Sequence, residues 1–176
     1  MDFKRIIATE RLLLEQLSVS NNKFILDLVN TPGWIEFIGD KKIYSLADAT
    51  AYIQKINANQ NIFYWTVKLK GTQTSIGLVT VIKRDYLPHH DLGFAFLPAF
   101  TAKGYAYEAT KAVLTYLKEN GAFETFLAIS LPYNTRSTRL LQKLGFEYDK
   151  EVQNENVVLQ LYKASPANLI SSEKPT

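Results

Sequence analysis

A mixed α/β fold (α+β in its strand order) is what this sequence predicts: one central, mostly antiparallel sheet flanked by helices on both faces. Three observations predict it. The front half of the chain carries strand-like runs joined by tight turns, which reads as antiparallel pairing. The back half runs strand, helix, strand, helix, strand, strand. Within it, the strand–helix–strand unit at 91–131 fits a right-handed parallel crossover. The length, 176 residues, suits one domain with a substantial core.

Residues 9–17, TERLLLEQL, read as the first strand and residues 21–30 as a short helix. Trp34–Gly39 reads as a turn or a second short helix. Ser45 then precedes apolar residues at Leu46, Ala49, Tyr52, Ile53 and Ile56. That spacing predicts a helix with Ser45 as its N-cap. Residues 62–69 and 75–83 read as a hairpin turning at Lys70–Gly71. Residues 91–97, DLGFAFL, form another strand, ended by Pro98. A long helix starts at Tyr105, with one apolar stripe at 105, 109, 112, 113, 116 and 117, and stops at Asn120–Gly121. Residues 122–131 return as a strand. Asn134 opens a helix carrying Leu140, Leu141 and Leu144, and Gly145 ends it. Residues 146–152 and 156–162 pair as a terminal hairpin. The domain is expected to span 1–164, with 165–176 as a flexible tail.

Composition narrows the function. The chain is 47% hydrophobic and 21% charged, ordinary for a soluble globular protein. Its net charge of +3 comes from scattered residues, so no nucleic-acid partner is indicated. The absence of cysteine removes thiol nucleophiles, thiolate metal sites and disulfides. It fits a reducing cytoplasm, the expected location. The N-terminus makes a poor signal peptide, and no apolar run approaches a membrane span. With two histidines, a three-histidine metal site is impossible, and no metal is expected.

The chemistry concentrates at two motifs. The first is FTAKGYAYEAT, residues 100–110, where Gly104 stands between a strand and the long helix. The first turn of a helix leaves N–H groups without backbone partners, and these favour an anion, especially a phosphate. A residue without a side chain would let a phosphate approach the backbone, and Lys103 adds positive charge. Gly104 is equally explained by a tight turn alone. Neither GxxxxGK[ST] nor GxGxxG is present. The second motif is NTRSTRLLQKLGF, residues 134–146. Here Asn134 and Ser137 fit an N-cap and its third-residue partner. One helix and one strand separate the two motifs, a spacing that can place both at one edge of the sheet, beyond strand C-termini where ligands bind.

With these two motifs the chain resembles the GNAT superfamily of N-acetyltransferases. It is most similar to the branch that includes the ribosomal-protein N-terminal acetyltransferases. The family motif R/Q-x-x-G-x-G/A stands here as Thr101-Ala102-Lys103-Gly104-Tyr105-Ala106, with Thr101 in place of the leading Arg or Gln. The signature N-x-x-S-x-R-L-L-x-K-L-G-F is matched at 134–146. The resemblance extends from residue 9 to about Tyr162.

The resemblance implies an enzyme, an acyltransferase that takes acetyl-CoA as donor and a primary amine as acceptor. The acceptor is a protein N-terminus or a small molecule, attacking directly in a ternary complex. The amides at 101–106 would hold the pyrophosphate. Strand 91–97 would splay from strand 122–131 and pair with the pantetheine arm, with backbone at Phe96 and Leu97 polarising the thioester carbonyl. Asn134 would contact the cofactor across the gap. Arg139 would meet a phosphate or belong to a solvated helix face. The tyrosine acid found in many members, seven residues after the motif asparagine, is replaced here by Leu141. Ser137 inherits the role of donor to the thiolate, beside its capping role, and Tyr133 is a weaker candidate.

Asp91, two residues before Gly93, is the expected base, acting through water. His90 is adjacent with a suitable pKa, although His89 and His90 also read as an exposed loop pair. Glu108 reads as structural. The segment 34–40 and the hairpin turn at 153–156 would wall the acceptor site. In it, Trp34, Glu36 and Asp40 are the candidate contacts; the two carboxylates would attract a cationic amine or remain simply solvated. The eroded cofactor motif and Leu141 leave open an alternative, a CoA-binding module without catalysis. Oligomeric state, monomer or homodimer, is not readable.

Overall fold

The computed structural model describes residues 6–121 and 123–169. Eight strands form one sheet in the order β1-β2-β3-β4-β5-β6-β8-β7. The strands are β1 (Ile7–Ala8), β2 (Leu12–Gln16), β3 (Ile62–Leu69), β4 (Ser75–Ile82), β5 (Asp91–Phe96), β6 (Phe126–Ser130), β7 (Glu147–Asn154) and β8 (Val157–Ala164). The helices are α1 (Asn22–Val29), α2 (Pro32–Phe37), α3 (Leu46–Ala58), α4 (Tyr105–Glu119) and α5 (Thr135–Lys143). All strand pairs are antiparallel except β5 with β6. The mixed, mostly antiparallel sheet flanked by helices is the fold class the sequence predicts.

Local chemistry sets the helix starts. Ser45 Oγ accepts from Asp48 N at 3.1 Å, capping α3 as its position predicts. Thr31 does the same for α2, accepting from Trp34 N at 3.3 Å, with Pro32 at the first helical position. Asn134 Oδ1 accepts from Ser137 N at 3.2 Å and starts α5.

Two layers cover the sheet. On one face, α4 and α5 bury Ala109, Val113, Leu117, Leu141 and Leu144 against Leu14, Trp65, Val79, Leu92 and Phe126. Each large side chain so buried contributes about 1.5–3 kcal/mol relative to exposure. On the other face, Phe24, Ile25, Leu28, Ile53 and Ile56 of α1 and α3 pack on Leu78 of β4, with Ala95 and Leu97 beside them. The loop between β4 and β5 covers the far side of that face, where Leu87 meets Leu127 and Leu161. The edge strand β7 presents Glu147, Asp149, Lys150 and Glu151 to solvent, charges that discourage a further strand from adding there.

Two boundaries differ from expectation. β6 starts at Phe126, not 122, because Phe123 leaves the strand line and sets its ring tilted against His90 (centroids 4.4 Å) and edge-on to Phe126 (5.8 Å). The chain also does not leave the domain at residue 164. Residues 165–169 turn back, and Leu169, only 6% exposed, joins the core beneath α5. Residues 170–176 lie outside the described residues.

That return explains Gly145. Its φ of +94° favours glycine, and a Cβ there would lie 2.3 Å from Asn168 O, a backbone atom that cannot swing aside. Gly145→Ala is therefore expected to destabilise the protein by about 2–4 kcal/mol, combining backbone strain with displacement of 168–169. Gly33→Ala, where a Cβ meets nothing within 4 Å, should change stability by less than about 0.5 kcal/mol. Urea denaturation of both variants checks this.

Candidate active site

The sheet is split at its centre. β5 and β6 share a single paired position, Asp91 with Leu127, where Leu127 N donates to His90 O at 3.1 Å. Beyond it the two strands part. β5 still pairs with β4 along all six residues, from Asp91 with Ile82 to Phe96 with Gly77. In an antiparallel ladder, alternate residues turn their N–H and C=O groups to opposite neighbours. Leu97 N donates to Ile76 O at 2.9 Å, so the odd-numbered residues of β5 face β4. The backbone groups of Phe94 and Phe96 consequently face the split. Phe96 and Phe94, the latter not named from the sequence, turn their backbone groups to the split, and the Leu97 amide is turned away from it. The alternation could have found Phe94, once the strand's partner on one side was known.

The open end of the split leads to the loop before α4. A short 3-10 turn, Pro98–Phe100, ends at Thr101, whose hydroxyl donates to Pro98 O at 2.9 Å. Ala102 then has φ +59° and Gly104 φ +80°, with the intervening Lys103 outside the left-handed region. Such alternation turns successive N–H groups toward a common point and makes an anion-binding concavity. The helical ladder begins with Glu108 N donating to Gly104 O at 3.0 Å, so the amides of the first turn of α4 have no partner within the helix. The positive φ at Ala102 has no signal in the sequence. At Gly104 a Cβ would lie 3.3 Å from Arg11 Nη2. The glycine is thus favoured by its φ, while a Cβ would also press on the Arg11 guanidinium, which can shift by a few tenths of an ångström. These features fit a pyrophosphate: bare amides at the start of a 15-residue helix, with Lys103 exposed beside them.

Asp91 sits at the closed end of the split. Its side chain is 3% exposed, and Oδ1 accepts from Arg84 Nε at 2.7 Å. Burial raises its pKa above the ordinary carboxylate value, and the Arg84 charge and hydrogen bond pull only part of the way back. Tyr64, on β3 two strands away, belongs to the same polar cluster. It interacts with Tyr52 of α3, and burial raises the pKa of both phenols. Neither tyrosine nor Arg84 was singled out from sequence, because each position reads as ordinary core or surface. His90 is half-buried, its pKa lowered first by burial and then by Lys83 and His89, while His89 is exposed.

Across the split, β6 runs into the turn before α5. There Asn134 and Ser137 are half-buried, Tyr133 is 60% exposed, and Arg139 is exposed. Leu141 is fully buried in the core. Phe37 of α2 meets Tyr133, ring centroids 5.9 Å apart, so segment 34–40 does border this end of the split. Within it Trp34 is buried in the core, with no hydrogen-bond partner for its Nε1 among the described residues. Glu36 is exposed. Asp40 is exposed too, but its carboxylate accepts from Lys42 N at 2.7 Å and from the Tyr44 hydroxyl at 2.8 Å, which holds its pKa low. In the hairpin turn at 153–156, Gln153 Nε2 donates to Glu155 O at 2.7 Å. Among the described residues no group of acidic and histidine side chains could hold a metal, and no helix is long and apolar enough to cross a membrane.

A family model described as an acetyltransferase (GNAT) domain matches residues 11–147. The chain is 27% identical over 139 residues to the uncharacterized N-acetyltransferase YnaD of Bacillus subtilis (strain 168), covering 79% of this chain and 81% of that one. Its fold is similar to that of a GNAT family acetyltransferase from Bacillus anthracis, with TM-score 0.78 and 21% identity over 93% of this chain and 99% of that one. It is also similar to RimL, a ribosomal L7/L12 alpha-N-protein acetyltransferase, with TM-score 0.76 and 12% identity over 92% and 94%.

Glu108, in the first turn of α4, makes a pH-dependent contribution to stability. Burial alone would raise its pKa, but hydrogen bonds from Thr9 and Arg11 and the Arg11 charge outweigh it and hold it below the usual value. A depressed carboxylate contributes stability that is present above the unfolded pKa of about 4.3 and is lost as pH falls through the folded one. Melting temperature should therefore fall less steeply below about pH 5 in Glu108→Gln than in the wild type. Thermal melts between pH 7 and 3 measure the difference.

Proposed function

The chain belongs to the acetyltransferase (GNAT) family, which transfers acetyl groups from acetyl-CoA, and we propose that its acceptor is a primary amine that attacks directly in a ternary complex. The observation that carries this reading is the split between β5 and β6, with its single paired position. It leaves the main-chain groups of Phe94 and Phe96 facing open space between the cradle at 101–106 and the buried Asp91. The likeness to YnaD and RimL supports an amine acceptor, and RimL in particular a protein N-terminus.

Acetyl-CoA, when bound, supplies an acyl group activated as a thioester. The amides of residues 102–107 would take the pyrophosphate, and the N–H groups on the open edge of β5 would take the arm and the acyl oxygen. A fixed N–H donor at a developing oxyanion is often worth about 3 kcal/mol. The acceptor must lose a proton, because an ammonium has no lone pair. Asp91, with its pKa raised by burial, is the group at the closed end of the split able to receive it, directly or through water. Arg84 holds that carboxyl in place. Ser137, in the first turn of α5, would stabilise the departing thiolate by a hydrogen bond from its hydroxyl, keeping its own proton; its N–H is occupied by Asn134. With Leu141 buried, no tyrosine stands at the position used by many relatives.

Saturating acetyl-CoA should raise the melting temperature, since a ligand that binds only the native state stabilises it. CoA release should then appear with at least one acceptor in a panel of N-terminal peptides, polyamines and amino acids. Binding without release across the whole panel would reduce the reading to CoA binding alone. With the acceptor in hand, Asp91→Asn and Ser137→Ala should each lower kcat by about 10²-fold or more while leaving CoA affinity within about twofold.

A further inference from the structure

We propose that Arg11 is a positioning residue for the cosubstrate: with Thr9 and Glu108 it clamps the loop at 101–104 in the shape that aims its N–H groups at a pyrophosphate. This rests on the acetyl-CoA reading above.

Arg11 lies in the short connection between β1 and β2. Four contacts join it to the start of α4. Its backbone N donates to Glu108 Oε1 at 2.9 Å, and its Nε donates to Glu108 Oε2 at 2.6 Å. Its Nη1 donates to Lys103 O at 3.1 Å, and its guanidinium lies over the Tyr105 ring, 4.4 Å from the centroid. Thr9 Oγ1 adds a bond to Glu108 Oε1 at 2.5 Å and accepts from Leu12 N at 3.0 Å. The anchor is rigid because the sheet holds it: Lys70 N donates to Arg11 O at 3.0 Å.

The bond to Lys103 O sets a direction. In a planar trans peptide the C=O and the following N–H point opposite ways. Tying the Lys103 carbonyl toward Arg11 therefore turns the Gly104 N–H away from it, toward the concavity that Ala102 and Gly104 form. Without the tie, a loop of four residues with two left-handed conformations has no ladder to keep that peptide from flipping. Only a forked cation meets Glu108 and Lys103 O together; a lysine carries the charge but not the fork. The clamp also neutralises Glu108, a carboxylate one turn from an anion site.

The test measures CoA and pantetheine dissociation constants by calorimetry at low salt for wild type, Arg11→Lys, Arg11→Met and Glu108→Gln. Amide hydrogen exchange of residues 102–105 is followed in the ligand-free proteins. Both Arg11 variants are expected to bind CoA about 10–100-fold more weakly, the range for losing a charge-assisted hydrogen bond. They should bind pantetheine, which lacks the pyrophosphate, as the wild type does, and their loop amides should exchange faster. Glu108→Gln should weaken CoA by about 3–10-fold although it removes a negative charge. Three results would each overturn the clamp: wild-type CoA affinity in Arg11→Lys, equal losses for CoA and pantetheine, or tighter CoA binding in Glu108→Gln. Wild-type protein that bound no CoA would overturn the acetyl-CoA reading itself, and the clamp with it.

Discussion

The structure depends on one hydrogen-bonding defect, the early parting of β5 and β6. A sheet interior normally leaves no main-chain donor or acceptor without a partner, because stranding one there is costly. Here the pairing stops after one position, in the middle of eight strands. The surrounding architecture keeps the defect open. β5 is held from the other side by six paired positions with β4, and β6 by five with β8. Each wall therefore belongs to its own rigid half-sheet, and α4 and α5 bridge the two halves on one face. On the opposite face, α1–α3 cover one half and the β4–β5 loop covers the other.

Charge is arranged unevenly along that line. At the open end the groups are exposed or half-exposed: the amides after Thr101, with Lys103 beside them and Arg11 behind. At the closed end the carboxylate is buried and its cationic partner half-buried. Asp91 and Arg84 form an ion pair there, with Tyr64 and Tyr52 nearby. A buried carboxylate is expensive unless paired, and the pairing with Arg84 is what lets Asp91 sit there at all. The two ends thus suit different tasks. One end offers exposed main-chain donors beside a lysine, and the other a buried carboxylate paired with an arginine.

Much of this was legible in the sequence. The periodicities of α3 and α4, the cap at Ser45 and the strand at 62–69 follow from rules that act over a few residues, and they hold to within a residue or two. The two motifs at 101–106 and 134–146 were also local, and the fold brings both to one end of the split. What escaped depended on distant partners. Arg11, Arg84 and Tyr64 are ordinary residues until the sheet order sets them beside Glu108 and Asp91. Trp34 was expected to line the acceptor site but is buried in the core, because helix α2 is too short to display a stripe that would mark it as core. The fate of residues 165–169 turned on a backbone approach to Gly145 that no periodicity announces.

A wall built from main chain imposes little on the side chains that interrupt it. At Phe94 and Phe96 the atoms turned toward the split are common to every residue except proline, which lacks the N–H. Their rings pack on the α4 side and answer only to the shape of that core. Such a binding edge can survive nearly complete turnover of its own letters. Distant members of one fold can thus share a donor molecule while agreeing at few positions, and the residues that choose the acceptor are free to diverge faster than those that grip the donor.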